Sequence, residues 1–263
     1  MKSHLAFIIQ LAQEAGEQIL PFYRREGLNS GLKADKSVVT EADLAADHWI
    51  AEQIRKHYPD DILLSEEINS TSPARMDGKQ RWVVDPIDGT TNFSLGLHFW
   101  GILIAHLVDG WPAEAVLYFP VIDEIYTAQR GGGSFLNNAP IQVKPPDPDR
   151  PAAFFSCCSR SYRRYRVTVP YKTRILGSAG YSFCAVARGA AVLSFESTPR
   201  IWDIAGAWLL VNEAGGVIET YDGSQPFPVV PGKDYAKQSY PTLAASTSEL
   251  LLKARQQILP IEK

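Results

Sequence analysis

Near the start of the chain apolar residues recur at three- and four-residue steps, Leu5, Ile8, Ala12, Ala15 and Ile19, which predicts an amphipathic helix ending near Pro21. A polar loop over residues 27–36 follows. Thr40 then stands as an N-cap with Asp43 three residues on, and Ala42, Ala46, Trp49, Ile50 and Ile54 predict a second amphipathic helix running toward Pro59. Two short apolar runs, Ile62-Leu63-Leu64 and Trp82-Val83-Val84, read as strands that deliver Ser65-Glu66-Glu67 and Asp85 to their ends. Residues 99–108, 113–119 and 124–129 are apolar or alternating, with Asp109-Gly110 as a turn, and predict an antiparallel meander.

Pro145-Pro146-Asp147-Pro148-Asp149 is the sharpest compositional break. It sets the expected boundary between an α+β half, residues 1–145, and an α/β half, residues 146–263. In the second half strands and helices alternate. Residues 153–158 and 174–176 read as strands, Gly177-Ser178 opens a helix through Arg188, 192–195 is a strand, and 203–214 is a helix capped by Gly215-Gly216. Further segments lie at 217–219, 242–245 and 248–259. No period of 20–50 residues repeats, which excludes solenoids and propellers.

Lys and Arg total 26 against 29 Asp and Glu, a net charge of −3, and no basic tract is longer than Arg163-Arg164 with its neighbours. Dedicated nucleic-acid binding is therefore disfavoured. The apolar patch from Leu5 to Ile9 is followed at once by Gln10, Glu14 and Glu17 and does not read as a signal peptide. No run approaches the ~18 apolar residues of a membrane span. Cys157, Cys158 and Cys184 lack zinc spacing and read as thiols in a reducing compartment, so a cytoplasmic location is expected.

Candidate chemistry concentrates in Asp85-Pro86-Ile87-Asp88-Gly89-Thr90-Thr91-Asn92-Phe93. Pro86 cannot donate to a sheet ladder and is expected to turn the chain, so that Asp85 and Asp88 converge with the Ile87 carbonyl between them. Oxygen ligands without His or Cys favour magnesium, calcium or manganese over zinc. Gly89 lets backbone approach a ligand closely, and the N–H groups of Thr90 and Thr91, at the start of a helical turn, suit an anion. The expectation is metal-assisted phosphate chemistry. Trp202-Asp203-Ile204-Ala205-Gly206-Ala207, closing with Glu213-Ala214-Gly215-Gly216, reads by itself as a helix whose Asp caps the backbone.

Taken together, Ser65-Glu66-Glu67, the Asp85 to Thr91 segment and the Trp202 to Ala207 segment resemble the inositol monophosphatase family in order and separation. The likeness covers nearly the whole chain, including residues 33–43, which stand where that family has a mobile loop. It implies a layered αβαβα sandwich, a magnesium-dependent and lithium-sensitive phosphomonoesterase, and a homodimer. It implies that Glu66 and Asp85 with the Ile87 carbonyl hold one metal and that Asp85, Asp88 and Asp203 hold a second. Two or three Mg2+ ions are expected in all, with Mn2+ as a substitute. Two cations ~3.5–4 Å apart clamp a phosphate and stabilise both the attacking water and the leaving alkoxide. By the same resemblance Glu66 and Thr90 position the water, Asp85 bridges the metals, and the Gly89 and Thr90 amides bind phosphate oxygens. Lys33 or Lys36 adds charge from the mobile loop, and Ala179, Glu196 and Asp203 contact the substrate. Glu67 is expected to face away from Glu66, as successive side chains do on an extended chain.

A carboxylate at Glu196 suits neutral hydroxyls and repels a second phosphate, which favours a sugar or polyol monophosphate, inositol monophosphate first. Histidinol phosphate, fructose 1,6-bisphosphate and a 3′-phosphoadenosine nucleotide are the alternatives for the same motifs. The chain departs from family habit at Ser65, where Gly is common, near Val192, where an Asp is common, and over Ser197-Thr198-Pro199-Arg200-Ile201, where the usual link contains Gly. The last of these falls on the substrate pocket. His48, His57, His98 and His106 lack ligand spacing and are expected in structural or surface roles. Ser161-Tyr162-Arg163-Arg164-Tyr165-Arg166 reads as a basic surface helix. Its aromatics, with the transcription-linked roles of some bacterial relatives, make an RNA-associated regulatory protein the non-enzymatic alternative.

Overall fold

Helix α1 (His4–Ile19) buries Ile8, Leu11, Ala12, Ala15 and Ile19 along one stripe, as its spacing predicts. It opens the computed structural model of the chain, which describes residues 4–24, 30–32, 38–68, 80–147, 149, 153–230 and 233–261. Lys33 and Lys36 lie outside the described residues, as does Pro148 of the proline-rich break. A short antiparallel pair, β1 (Ser30–Leu32) and β2 (Val38–Thr40), leads into α2 (Glu41–His57). The capping box is present. The Thr40 N–H donates to the Asp43 carboxylate at 2.8 Å, and the Asp43 N–H donates back to the Thr40 hydroxyl at 3.4 Å.

Among the described residues, seven strands lie side by side in chain order: β3 (Ile62–Ser65), β4 (Gln80–Asp88), β5 (Gly101–Val108), β6 (Trp111–Phe119), β7 (Glu124–Gln129), β8 (Gly133–Leu136) and β9 (Ala139–Pro140). A short helix, α3 (Thr90–Ser94), separates β4 from β5. The pair β3–β4 is parallel and the remainder form the expected antiparallel meander. Alternation of side chains splits this sheet between two cores. Trp82, Val84, Ile102, Ile104 and Val116 join residues of α1 and α2, while Val83, Leu103, Ala105, Ala115 and Leu117 turn to the opposite face.

That opposite face is covered from the second half of the chain. In order come β10 (Phe154–Cys157), α4 (Ser161–Arg164), β11 (Tyr165–Val167), β12 (Lys172–Arg174), α5 (Ala179–Ala187), β13 (Ala191–Glu196), α6 (Ile201–Glu213), β14 (Val217–Thr220), β15 (Thr242–Ala245), α7 (Ser248–Gln257) and β16 (Ile258–Pro260). Helices α5 and α6 pack on the larger sheet and share its core. On the far side of α5 lies a second sheet of order β12-β10-β13-β15-β14, with β10 parallel to β12 and β13, and β15 antiparallel to its neighbours. Helix α7 closes the outside with Leu250, Leu251 and Ala254 buried against Phe155, Leu193 and Leu243. The layers are therefore helix, sheet, helix, sheet, helix, the expected αβαβα sandwich.

Three local expectations need correction. The strand expected at 174–176 runs instead over Lys172–Arg174, in register with β10. The expected basic helix at 161–166 stops at Arg164, because Tyr165–Val167 pairs with Ile258–Pro260 as an antiparallel strand, and the same pairing ends the 248–259 segment as β16. Tyr165 stacks edge-on against Phe195 and Tyr221, with centroids 4.9 and 5.3 Å away, so its ring is committed to the core rather than to a base.

Candidate active site

Strand β4 carries Asp85 and Asp88, which normal alternation would send to opposite faces of the sheet. The ladder with β5 is irregular between them. Asp85 opposes Leu103 and Asp88 opposes Gly101, so Pro86 and Ile87 face the single residue Ile102. This bulge, placed where proline cannot donate to the ladder, brings both carboxylates to one side. The chain does not turn away at Pro86, as expected from sequence, but stays in the sheet through the irregularity. It turns at Gly89, whose φ of +89° favours glycine and whose added Cβ would sit 2.9 Å from the Phe99 carbonyl oxygen. Thr90 then begins α3, so its N–H lies at a helix start as expected.

Asp203 reaches the same point from the first turn of α6, where its carboxylate accepts the Arg200 N–H at 2.5 Å. One carboxylate oxygen from each of Asp85, Asp88 and Asp203 lies within 4.8 Å of the others. Glu66, from the turn after β3, faces the same cavity. The cavity measures about 1320 Å³ and is lined by Glu66, Asp85, Ile87, Asp88, Gly89, Thr90, Ala179, Glu196 and Asp203. Every expected site residue within the described residues is thus brought to one cleft.

Burial, reinforced by the Glu66, Asp203 and Asp88 charges, pushes the Asp85 carboxyl well above the usual carboxylate range, and Asp85 and Asp203 hydrogen-bond each other. Burial followed by the Asp88 charge raises Asp203 to about 7. Asp88 rises to about 6 because burial outweighs three hydrogen bonds from the start of α5: the Ser178 hydroxyl, the Ala179 N–H at 3.0 Å and the Gly180 N–H at 2.8 Å. Carboxylates so placed cannot all ionise without a positive charge among them. The donor set holds oxygen only, which fits a hard divalent cation and offers nothing to a soft one. Gly180 permits the close approach, since a Cβ there would lie 2.9 Å from the Asp88 carboxylate and 2.4 Å from Leu103.

The structure adds residues that sequence reasoning missed. The Thr90 hydroxyl stands 3.0 Å from both the Asp43 carboxylate and the Ile87 carbonyl. Asp43 carries the spacing of a capping box, and that signal hid its second task. Burial lifts it to about 6 against the hydrogen bonds from Thr40 and Thr90. Asp47 on α2, fully buried, accepts the Ser65 hydroxyl and the N–H groups of Glu67, at 3.1 Å, and Ile68, at 2.7 Å. The departure from Gly at Ser65 therefore supplies a hydroxyl that helps fix the turn carrying Glu66. Because residues 66–68 form a turn rather than an extended strand, Glu67 lines the cavity with Glu66 instead of facing away.

Glu196, at the end of β13, is buried within the cavity wall rather than solvated. Burial and then the neighbouring Cys158 raise its carboxyl well above the ordinary value. Pro199 and Arg200 also line the cleft, and the Tyr240 N–H holds the Pro199 carbonyl at 2.8 Å. His48 and His57 are exposed on α2, each with Nδ1 bonded to the carbonyl one turn back, and His98 is exposed beside Arg24.

Residues 1–259 match the model of the inositol monophosphatase family. The chain is 33% identical over 241 residues to Nus factor SuhB of Pasteurella multocida, with 86% of this chain and 88% of that protein covered. It is 32% identical to a histidinol-phosphatase of Chlorobaculum parvum at the same coverage. Among solved structures, an IMPase of Thermotoga maritima superposes with a TM-score of 0.78 at 26% identity, covering 96% of each chain. With the family model spanning its length and the fold matching, the chain belongs to the inositol monophosphatase family of phosphomonoesterases.

Proposed function

We propose that the chain hydrolyses a small sugar or polyol monophosphate, inositol monophosphate first among them, with Mg2+ held by Glu66, Asp85, the Ile87 carbonyl, Asp88 and Asp203. The observation that carries this is the convergence of buried Asp85 and Asp88 with half-buried Asp203 beside the Gly89-Thr90 turn in one cleft. Magnesium in this donor set supplies the charge that eases deprotonation of a water and steadies the leaving oxygen. The remaining work falls to side chains and backbone. Asp43 and the Ile87 carbonyl draw the Thr90 hydroxyl proton toward themselves, which leaves a Thr90 lone pair to orient the attacking water. Glu66, beside Asp85 in the cleft lining, receives that water's proton, and the Gly89 and Thr90 N–H groups hold the phosphate.

Glu196, buried in the wall of the same cleft and near enough to feel the Asp88 charge, accepts hydroxyl donors of the alcohol, and Ala179 lines that cleft with it. The halves 1–145 and 146–263 act as one catalytic unit in this reading. It also has the chain a lithium-sensitive homodimer of the cytoplasm. Asp88→Asn or Asp203→Asn abolishes turnover with the fold retained, and full activity in either variant overturns the metal assignment. A panel of phosphate esters assayed with Mg2+ ranks the substrates.

Histidinol phosphate is the second reading. It is supported by the relative named a histidinol-phosphatase and by Glu196, since a buried carboxylate also receives an ammonium group. Glu196→Gln separates the two: it weakens an ammonium-bearing substrate far more than a polyol. The likeness to a protein named a Nus factor keeps a non-catalytic role testable by RNA binding of the Asp203→Asn variant.

A further inference from the structure

At the end of the larger sheet remote from the acidic cleft, two histidines and a glutamate meet. His106 on β5 and Glu114 on β6 are direct cross-strand partners, beside a register irregularity that follows His106. His4, at the start of α1, lies over them. The Nδ1 atoms of His4 and His106 each stand 3.3 Å from the same oxygen, Oε2 of Glu114. One ligand atom from each of the three residues falls within 4.8 Å of the others. Gln80 beside His106 and Asp88 at the cleft lie at opposite ends of β4, roughly 25 Å apart at strand rise.

Sequence spacing gives no sign of this group, and His106 is expected there in a structural or surface role. The side chain is 1% exposed, and its Nδ1 is buried with no hydrogen-bond partner, while Nε2 lies 3.2 Å from the Gln80 carbonyl oxygen. In the tautomer that donates from Nε2 to the Gln80 side-chain oxygen, Nδ1 presents a lone pair toward a carboxylate oxygen, and two electron-rich atoms at this separation call for a proton or a metal ion between them. A tetrahedron with metal–ligand distances of about 2.0–2.1 Å has edges of about 3.3 Å, which is the spacing of each Nδ1 from Glu114.

We infer that His4, His106 and Glu114 form a second metal site, for a divalent transition metal of the zinc type, with water as fourth ligand. It is distinct in place and chemistry from the oxygen-only cleft, since imidazole nitrogen selects zinc where carboxylates alone select magnesium. The two imidazoles stack with centroids 4.1 Å apart and planes 28° apart, so binding turns the partly exposed His4 ring until both lone pairs converge. The bound ion clips the start of α1 to β5 and β6.

The full-length protein, stripped with chelator, is loaded with excess Mg2+, incubated with Zn2+ and dialysed against Mg2+ before metal analysis. One Zn2+ per chain is expected in the wild type and in Asp203→Asn, and that equivalent is lost in His4→Gln and in Glu114→Gln. Zn2+ also raises the melting temperature of the wild type but not of His4→Gln, whose Mg2+-dependent phosphatase activity is unchanged. His4 is the safe variant, because its side chain is one-fifth exposed at a helix start. The site is refuted if the wild type retains no Zn2+, or if His4→Gln and Glu114→Gln keep the equivalent and Asp203→Asn loses it.

Discussion

The Thr90 hydroxyl lies 3.0 Å from the carboxylate of Asp43, a contact that ties the turn after β4 to the cap of α2. One aspartate thus caps the start of a helix and holds a hydroxyl in the cleft. Replacing Thr90 by Ala should lower kcat by about 10²–10⁴-fold with little change in KM, the size of effect that positioned proton-transfer groups contribute. Thr90→Ser should recover most of the rate. Steady-state kinetics at saturating Mg2+ decide the matter, and an unchanged kcat in Thr90→Ala would remove the residue from the mechanism.

Stability of the metal-free protein should fall as pH rises. Asp43 and Asp88 sit near 6 and Asp203 near 7, each lifted first by burial, against an ordinary value near 3.8 when unfolded. Between those limits the folded chain binds more protons than the unfolded one. The stabilisation is therefore complete below about pH 4 and is lost by about pH 7. Thermal melts of chelator-treated protein should show a drop of several degrees between pH 5 and pH 7.5, at about 2–4 °C per kcal/mol for a chain of this size. Saturating Mg2+ should abolish or reverse the slope.

Ser178 serves two partners at once. Its hydroxyl donates to Asp88 and accepts the Tyr181 N–H at 3.1 Å as the cap of α5. Ser178→Ala should cost about 1 kcal/mol of stability through the lost cap. It should also raise the Mg2+ concentration for half-maximal activity by about 10–100-fold, as loss of a group orienting a metal ligand does. Calorimetry and a Mg2+ titration of activity separate the two effects.

Asp47 touches neither cavity nor substrate, yet it fixes the turn that bears Glu66. Asp47→Ala leaves the buried Ser65 hydroxyl and two N–H groups without their acceptor, at about 1–3 kcal/mol. The melting temperature should fall and the Mg2+ requirement rise together. Ser65→Gly, which keeps the two N–H bonds, should show a smaller shift in both.

Much of this site was legible in the chain. Asp85, Asp88 and Asp203 stand in segments whose residue order carries the chemistry, and the layered fold follows from strands and helices with clean periodicity. What escaped has physical reasons. Asp43 bears a capping signal, and nothing in a local pattern says that the same carboxylate meets Thr90 across 47 residues. Strands as short as Tyr165–Val167 and Ile258–Pro260 have no periodicity of their own and exist through each other. Glu67 was placed by the alternation of an extended strand, whereas Asp47 bends the chain there into a turn. His4, His106 and Glu114 come from a helix and two strands, and only the packing of α1 across the sheet brings them together.

The three hydrogen bonds that Asp88 accepts from the start of α5 reach across some ninety residues of chain, and Asp203 follows later still. During synthesis Asp85 and Asp88 leave the ribosome long before the groups that complete their surroundings exist. The nascent first half therefore carries an acidic pair open to solvent, free to exchange ions and protons. The cleft therefore closes in chain order, first as residues 178–180 reach Asp88 and last as Asp203 joins, so it is complete only once both halves of the chain are present.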